Sequence, residues 1–204
     1  MQGISLGEEA AWKTLAKAPP ADVCRRTLAR YELSFQRYVL KVMGDDYEIA
    51  PQRRTIEHAR KSAIPLDLEF RLMVLSYLTN ATDTTLSGRL VQCQQLRGGD
   101  SFFRGVHRLP VQDLEARFGK SPQLFRDACL SLDGRSVPYG DAAVEVIVLP
   151  KLPLTLVLWV ADDEFPARVS ILFDSTADEH LPLDALLAAV RTTAKRIVAH
   201  SQEE

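Results

Sequence analysis

The period of the apolar residues changes along the chain, and each change predicts a change of element. In residues 5–17, Ala11, Trp12, Leu15 and Ala16 share one helical face, with Ser5 and Glu8 in capping-box spacing. Pro19-Pro20 ends that helix and opens a second through Val23, Thr27 and Leu28. From Tyr31 the period falls to two, as Phe35, Arg37, Val39 and Lys41 alternate with Gln36, Tyr38, Leu40 and Val42. Gly44-Asp45-Asp46 reads as a turn, residues 47–50 resume the extended pattern, and 54–57 add a third short strand after Pro51.

Pro65 then opens a helix over 66–79. Phe70, Met73, Val74, Tyr77 and Leu78 hold one side and Leu68, Leu72 and Leu75 most of the other, which predicts a largely buried helix. A short strand is expected within 86–96. Two further helices are expected after Pro110 and after Ser121-Pro122, the first carrying Leu114 and Phe118, the second Leu124, Phe125 and Ala128.

The strongest pattern lies at 153–174. Leu154, Leu156, Leu158 and Val160 alternate with Thr155, Val157 and Trp159, so both faces of this run are apolar. That predicts a central strand covered on both sides, with Trp159 buried. Asp162-Asp163-Glu164-Phe165-Pro166 breaks the run, and 168–173 reads as the returning strand. Val144, Val146 and Val148 predict a strand before it. Pro182 opens a C-terminal helix with Leu183, Leu186, Leu187, Val190 and Ile197 on one stripe. Short turns between successive strands imply antiparallel pairing, and the helices come in blocks. The class is α+β: an antiparallel sheet with helices packed on it, the C-terminal helix among them. One domain over 1–204 is expected, divided into N-terminal helices (5–30), a hairpin (31–57), a helical middle (65–130), a β-rich part (136–174) and the C-terminal helix (182–199).

Composition narrows the partners. The 204 residues are 46% hydrophobic and 25% charged, enough for one sizeable core. A net charge of −2 provides no basic field for nucleic acid. No apolar run is long enough to span a bilayer, and Met1 to Glu9 lack a signal-peptide pattern, so a cytoplasmic protein is expected. Cys24, Cys93 and Cys129 form no CxxC pair, and the four histidines show no HExxH spacing, so no metal site is expected.

Three stretches carry candidate chemistry. Arg97, Arg104, His107 and Arg108 fall among Gly98, Gly99, Phe102, Phe103 and Gly105. Glycines admit close approach to a ligand, arginines fork onto carboxylate or phosphate, and aromatics stack on flat rings. Arg97, Phe102, Arg104, His107 and Arg108 are therefore the candidate ligand-binding residues. If residues 101–106 are extended, Phe103 anchors the segment while Phe102 and Arg104 face a cleft. The simpler reading pairs these arginines with surface acids. The acidic turn offers Asp163 and Glu164 as a possible carboxylate site, against the simpler reading of a solvated turn. Asp174, Asp178 and His180 form a second acidic loop. With the hairpin tip near Glu164, the two loops lie about 25 Å apart and cannot share a site.

Tyr77-Leu78, Gly88, Phe103-Arg104-Gly105, Phe118-Gly119, Gly140-Asp141, Leu149-Pro150, Trp159, Asp163-Glu164-Phe165-Pro166, Leu172-Phe173-Asp174 and Leu181-Pro182 follow one another in a familiar order. Together, from about Trp12 to Ile197, they resemble the family known as domain of unknown function 3786, from anaerobic bacteria and archaea. The resemblance implies no established activity and no particular cofactor. Some members carry an added cysteine-rich iron–sulfur segment of the kind seen near corrinoid proteins, which implies an anaerobic setting with a corrinoid or redox partner. This chain lacks those cysteines.

The expected function is a binding module for a small anionic or cofactor-like ligand in anaerobic metabolism. The alternatives are a metal- or carboxylate-dependent hydrolase or lyase using Asp163 or Glu164, and a protein-interaction domain. The three differ in what they require: a lined cavity, converging carboxylates, or an exposed apolar patch.

Overall fold

A computed structural model describes residues 6–60 and 66–202. Its strands fall into two antiparallel sheets. After helices α1 (Leu6–Lys17) and α2 (Pro20–Thr27), the first sheet runs in sequence order through β1 (Arg30–Glu32), β2 (Arg37–Val42), β3 (Asp45–Ala50) and β4 (Thr55–His58). The second takes β5 (Leu90–Gln92), β6 (Arg135–Ser136), β7 (Ala142–Leu149), β8 (Leu152–Trp159) and β9 (Arg168–Asp174) in the order β5-β9-β8-β7-β6. Between them come α3 (Leu68–Asn80), α4 (Gly99–Phe102), α5 (Val111–Phe118) and α6 (Pro122–Leu130), and α7 (Ala177–His180) and α8 (Leu183–His200) follow β9. The class is α+β, as the periodicity implies.

β8 is the central strand. Every residue from Leu152 to Leu158 is buried, because β7 and β9 flank it and both of its faces are covered. Leu156 stands opposite Val144 on one side and Ile171 on the other, fixing the register of three consecutive hairpin-linked strands. Burying a leucine of this kind contributes about 1.5–3 kcal/mol. Trp159 departs from expectation. It is the last residue of β8, on the opposite face from Leu154, Leu156 and Leu158, and is 38% exposed.

The C-terminal helix packs on this assembly. Leu186, Leu187, Val190 and Ile197 of α8 join the same buried cluster as Val144, Leu156 and Ile171. Arg196 of α8 is buried as well; its Nη2 donates to the Tyr47 hydroxyl of β3 at 2.8 Å, and its guanidinium lies over the Phe70 ring of α3 at 5.1 Å. The two sheets also touch directly, where the Met43 N–H donates to the Val148 carbonyl at 3.2 Å.

Several local expectations need correction. The 31–57 segment forms a four-stranded sheet of its own, because the chain reverses through a 3-10 turn at Leu33–Phe35 and lays β1 beside β2. The β2–β3 turn is Met43-Gly44, not Gly44-Asp45-Asp46, and Asp45 and Asp46 belong to β3. A two-residue hairpin of this kind needs positive φ at both central residues, and Met43 (49°) and Gly44 (84°) supply it. Leu68 and Leu72 face outward, so the first turns of α3 are covered on one side, while Met73 to Leu78, Leu75 among them, are buried all round. α3 is capped by Asp67, whose Oδ1 accepts the Phe70 N–H at 2.9 Å. The expected roles of Ser5 and Pro65 fall outside the described residues. Residues 101–106 are not extended: α4 and a 3-10 turn at Gly105–His107 occupy this stretch. Gly98, at φ 77°, starts α4, and Gly99 packs so closely on the Cys93 carbonyl that a Cβ would lie 1.9 Å from it.

Candidate functional site

The site follows from a mismatch of strand lengths. β5 is three residues long and pairs only with 172–174 of β9. The edge of β9 from Arg168 to Ile171 therefore extends past its neighbour. After Gln92 the chain turns away through Cys93–Gln95, held by the Gln95 side chain accepting the Gln92 N–H at 2.8 Å. α5 lies across the gap. Its Glu115 accepts the Val169 N–H at 2.9 Å, and its last turn meets the far arm of the hairpin, where the Ala161 N–H donates to the Gly119 carbonyl at 2.9 Å.

A cleft of about 650 Å³ is left between these parts. Gln92 and Gln94 line one wall, Arg108 and the start of α5 with Gln112 another, and Arg168 and Ser170 of β9 the floor. No acidic residue lines it among the described residues. Arg108 has no ion-pair or side-chain hydrogen-bond partner among the described residues. Arg168 rests over the Trp159 ring at 5.1 Å, with Nη2 3.5 Å from Ser170 Oγ, and likewise has no ion pair there. The first N–H groups of α5 have no partner within the helix and carry its positive end. The Cys93 thiol in the wall is buried, and burial pushes its pKa up, so it stays protonated.

The expected ligand loop divides. Arg108 lines the cleft together with Phe103 and Gly105. Phe103 is the buried anchor, near Phe173 of β9. Arg97 turns to Asp178, whose carboxylate also accepts the Arg97 N–H at 3.0 Å. Arg104 pairs with Asp100 at 2.6 Å on the surface. Phe102 and His107 stack on each other, 4.5 Å apart and nearly parallel. The cleft thus takes up Arg108 and draws its second arginine, Arg168, from the hairpin. Sequence reasoning passed over Arg168; its signal is a charged residue opening an otherwise apolar strand.

Asp163 and Glu164 sit at the exposed hairpin tip and do not line the cleft. The turn is organised by Asp162, whose Oδ1 accepts the N–H groups of Phe165 at 2.7 Å and Glu164 at 2.9 Å. These two bonds, Phe165 first, lower the Asp162 pKa. At the other end of the hairpin, Asp174 is buried and faces Ser87, Gly88 and Thr176. Burial acts to raise its pKa, but hydrogen bonds from Thr176 and Ser87 outweigh it and hold the carboxyl at about 2. His180 is fully buried, and burial first, then the nearby Lys151, lowers its pKa. No group of three or more His, Cys, Asp or Glu side chains able to hold a metal ion occurs among the described residues. Among them also, no helix is long and apolar enough to cross a membrane.

Fold and cleft together define an α+β protein of two antiparallel sheets, with a cationic, polar cleft where an edge strand of the larger sheet stops short. The chain belongs to the family described as Domain of unknown function (DUF3786), whose model matches residues 19–196. No curated protein and no solved structure matches it.

Proposed function

We propose that the protein is a binding module for a small anionic ligand held in the cleft between β9, the Cys93–Gln95 turn and the start of α5. One observation carries this reading: two guanidiniums, Arg108 and Arg168, line one cleft, and among the described residues no acidic side chain lines it and neither arginine has an ion pair. An arginine left without a carboxylate keeps its planar fork of donors available to an oxyanion. The volume of about 650 Å³ suits a ligand of cofactor size. Gln92, Gln94, Gln112 and Ser170 add neutral donors and acceptors for its uncharged parts. The family resemblance supports an anaerobic setting for such a ligand, with a corrinoid or redox protein as a partner.

Calorimetric titration of orthophosphate and of succinate tests the reading and separates phosphoryl from carboxylate ligands. Arg108→Ala and Arg168→Ala should each weaken binding about tenfold or more, since a charged hydrogen bond contributes about 1.5–3 kcal/mol. Arg104→Ala, outside the cleft, should bind as the wild type does. Equal affinity in all four proteins would overturn the proposal.

A further inference from the structure

Trp159 is only partly packed. Its neighbours Leu154, Leu156 and Leu158 reach the core, while it ends β8 on the other face and leaves 38% of its surface exposed. What it does touch is Arg168, its direct cross-strand partner, whose guanidinium lies 5.1 Å from the ring centre. We propose that Trp159 is a positioning residue, whose indole aims the Arg168 guanidinium at an oxyanion bound in the cleft. The inference rests on the binding reading above.

The choice of partner matters chemically. A carboxylate beside Arg168 would fix it equally well, but would occupy the in-plane N–H donors that an oxyanion needs. An aromatic ring holds the guanidinium by its face and leaves those donors free. Arginine has many rotamers, and restricting them before binding removes an entropic cost from each encounter. Ser170, 3.5 Å from Nη2 and on the cleft floor, limits the same side chain from another direction. The base of the indole is itself fixed. Asp141 Oδ2 accepts the Val160 N–H at 2.8 Å, and the Asp141 N–H donates to the Leu158 carbonyl at 2.9 Å, so the strand is tied on both sides of Trp159.

This arrangement makes Trp159 a reporter of the cleft. The chain has two tryptophans, and Trp12, a residue of α1, is buried with its Nε1 donating to Glu8 one turn earlier. Any change of indole emission on binding should therefore come from Trp159.

The test is to titrate orthophosphate and succinate into the wild type, Trp159→Leu, Trp159→Phe and Arg168→Ala, by calorimetry and by tryptophan emission. Trp159→Leu should weaken binding about two- to fivefold, the range expected of an exposed cation–π contact. Trp159→Phe, which keeps a ring face, should recover most of that loss. The wild-type emission should change on binding, and Arg168→Ala should abolish the change. Suppose the wild type binds and Arg168→Ala weakens it, yet Trp159→Leu binds at full affinity and emission never moves. Then Trp159 has no positioning role, while the binding reading stands. If the wild type binds neither probe, the binding reading fails and takes this inference with it. Should Trp159→Leu not fold, judged by its thermal melt, the wild-type emission change and its loss in Arg168→Ala decide the matter.

Discussion

The β8–β9 hairpin has an aspartate at each end, and the two are used differently. Asp162 organises the tip and Asp174 closes the base. Both accept backbone N–H groups through short Asx-type bonds, and both have lowered pKa values. Asp162 does this in solvent with two donors from its own turn. Asp174 does it at 3% exposure, with donors from two separate segments: Ser87 N–H (3.1 Å) and hydroxyl (3.0 Å), Gly88 N–H (2.7 Å), and Thr176 N–H (3.0 Å) and hydroxyl (2.7 Å). The comparison teaches that an acidic turn motif in sequence does not reveal its energetic weight. Burial, and the number of chain segments that converge on the carboxylate, decide that.

The largest effect should come from Asp174→Ala. It would leave five donors without their acceptor, the two of Thr176 buried and the three of Ser87 and Gly88 at the exposed rim, and losing the acceptor from such a set costs about 1.5–3 kcal/mol. Urea unfolding measures it, and a loss below about 1 kcal/mol would mean that the two ends are equivalent after all. A smaller effect follows from pH. The Asp174 pKa is about 2 in the folded chain against an ordinary 3.8, so its contribution is fully present above the unfolded value. It should fade as pH falls through the range between about 4 and about 2, because there the unfolded chain binds more protons. The wild type and Asp174→Asn should therefore converge in stability across that window. Parallel curves would contradict the assigned donors. Asp162→Ala should leave the urea midpoint almost in place and speed amide exchange only at Glu164 and Phe165. Least of all, the double variant should show the sum of the two single changes, since the register puts the two aspartates at opposite ends of the strands.

Much of the larger sheet was legible in the sequence, because β7, β8 and β9 are apolar runs bounded by strong turn signals, and α8 carries an unbroken apolar stripe. The β2–β3 turn was not. Its geometry needs a left-handed Met43, a residue with no turn preference, so the adjacent Asp45-Asp46 attracted the turn instead. Alternation does not reveal the exposure of Trp159, because Thr155 and Val157 on its own face are buried; what exposes it is its place at the last position of β8. Half of the site was readable. Gly, Arg and Phe mark the loop that carries Arg108, but Asp100 and Arg104 stand four apart, a spacing that already signalled a helical surface pair. Arg168 depended on where β5 stops and on which residue faces Trp159, and both are properties of pairing between distant segments.

The lengths of the strands have a further consequence. The sheet places its two eight-residue strands and the seven-residue β9 inside, and closes with β5, three residues long, and β6, two residues long. A strand as greasy as β8 is an aggregation hazard wherever its backbone is offered to another chain. Here its partners are supplied by the nearest sequence on either side, so its hydrogen bonds are claimed early and locally during folding. At the margins the uncovered lengths of β9 and β7 are interrupted, by Glu115 of α5 taking the Val169 N–H and by the Met43 N–H donating to the Val148 carbonyl. Substitutions that lengthen β6, by extending its pairing with β7, should therefore lower the yield of refolded protein before they alter the native state.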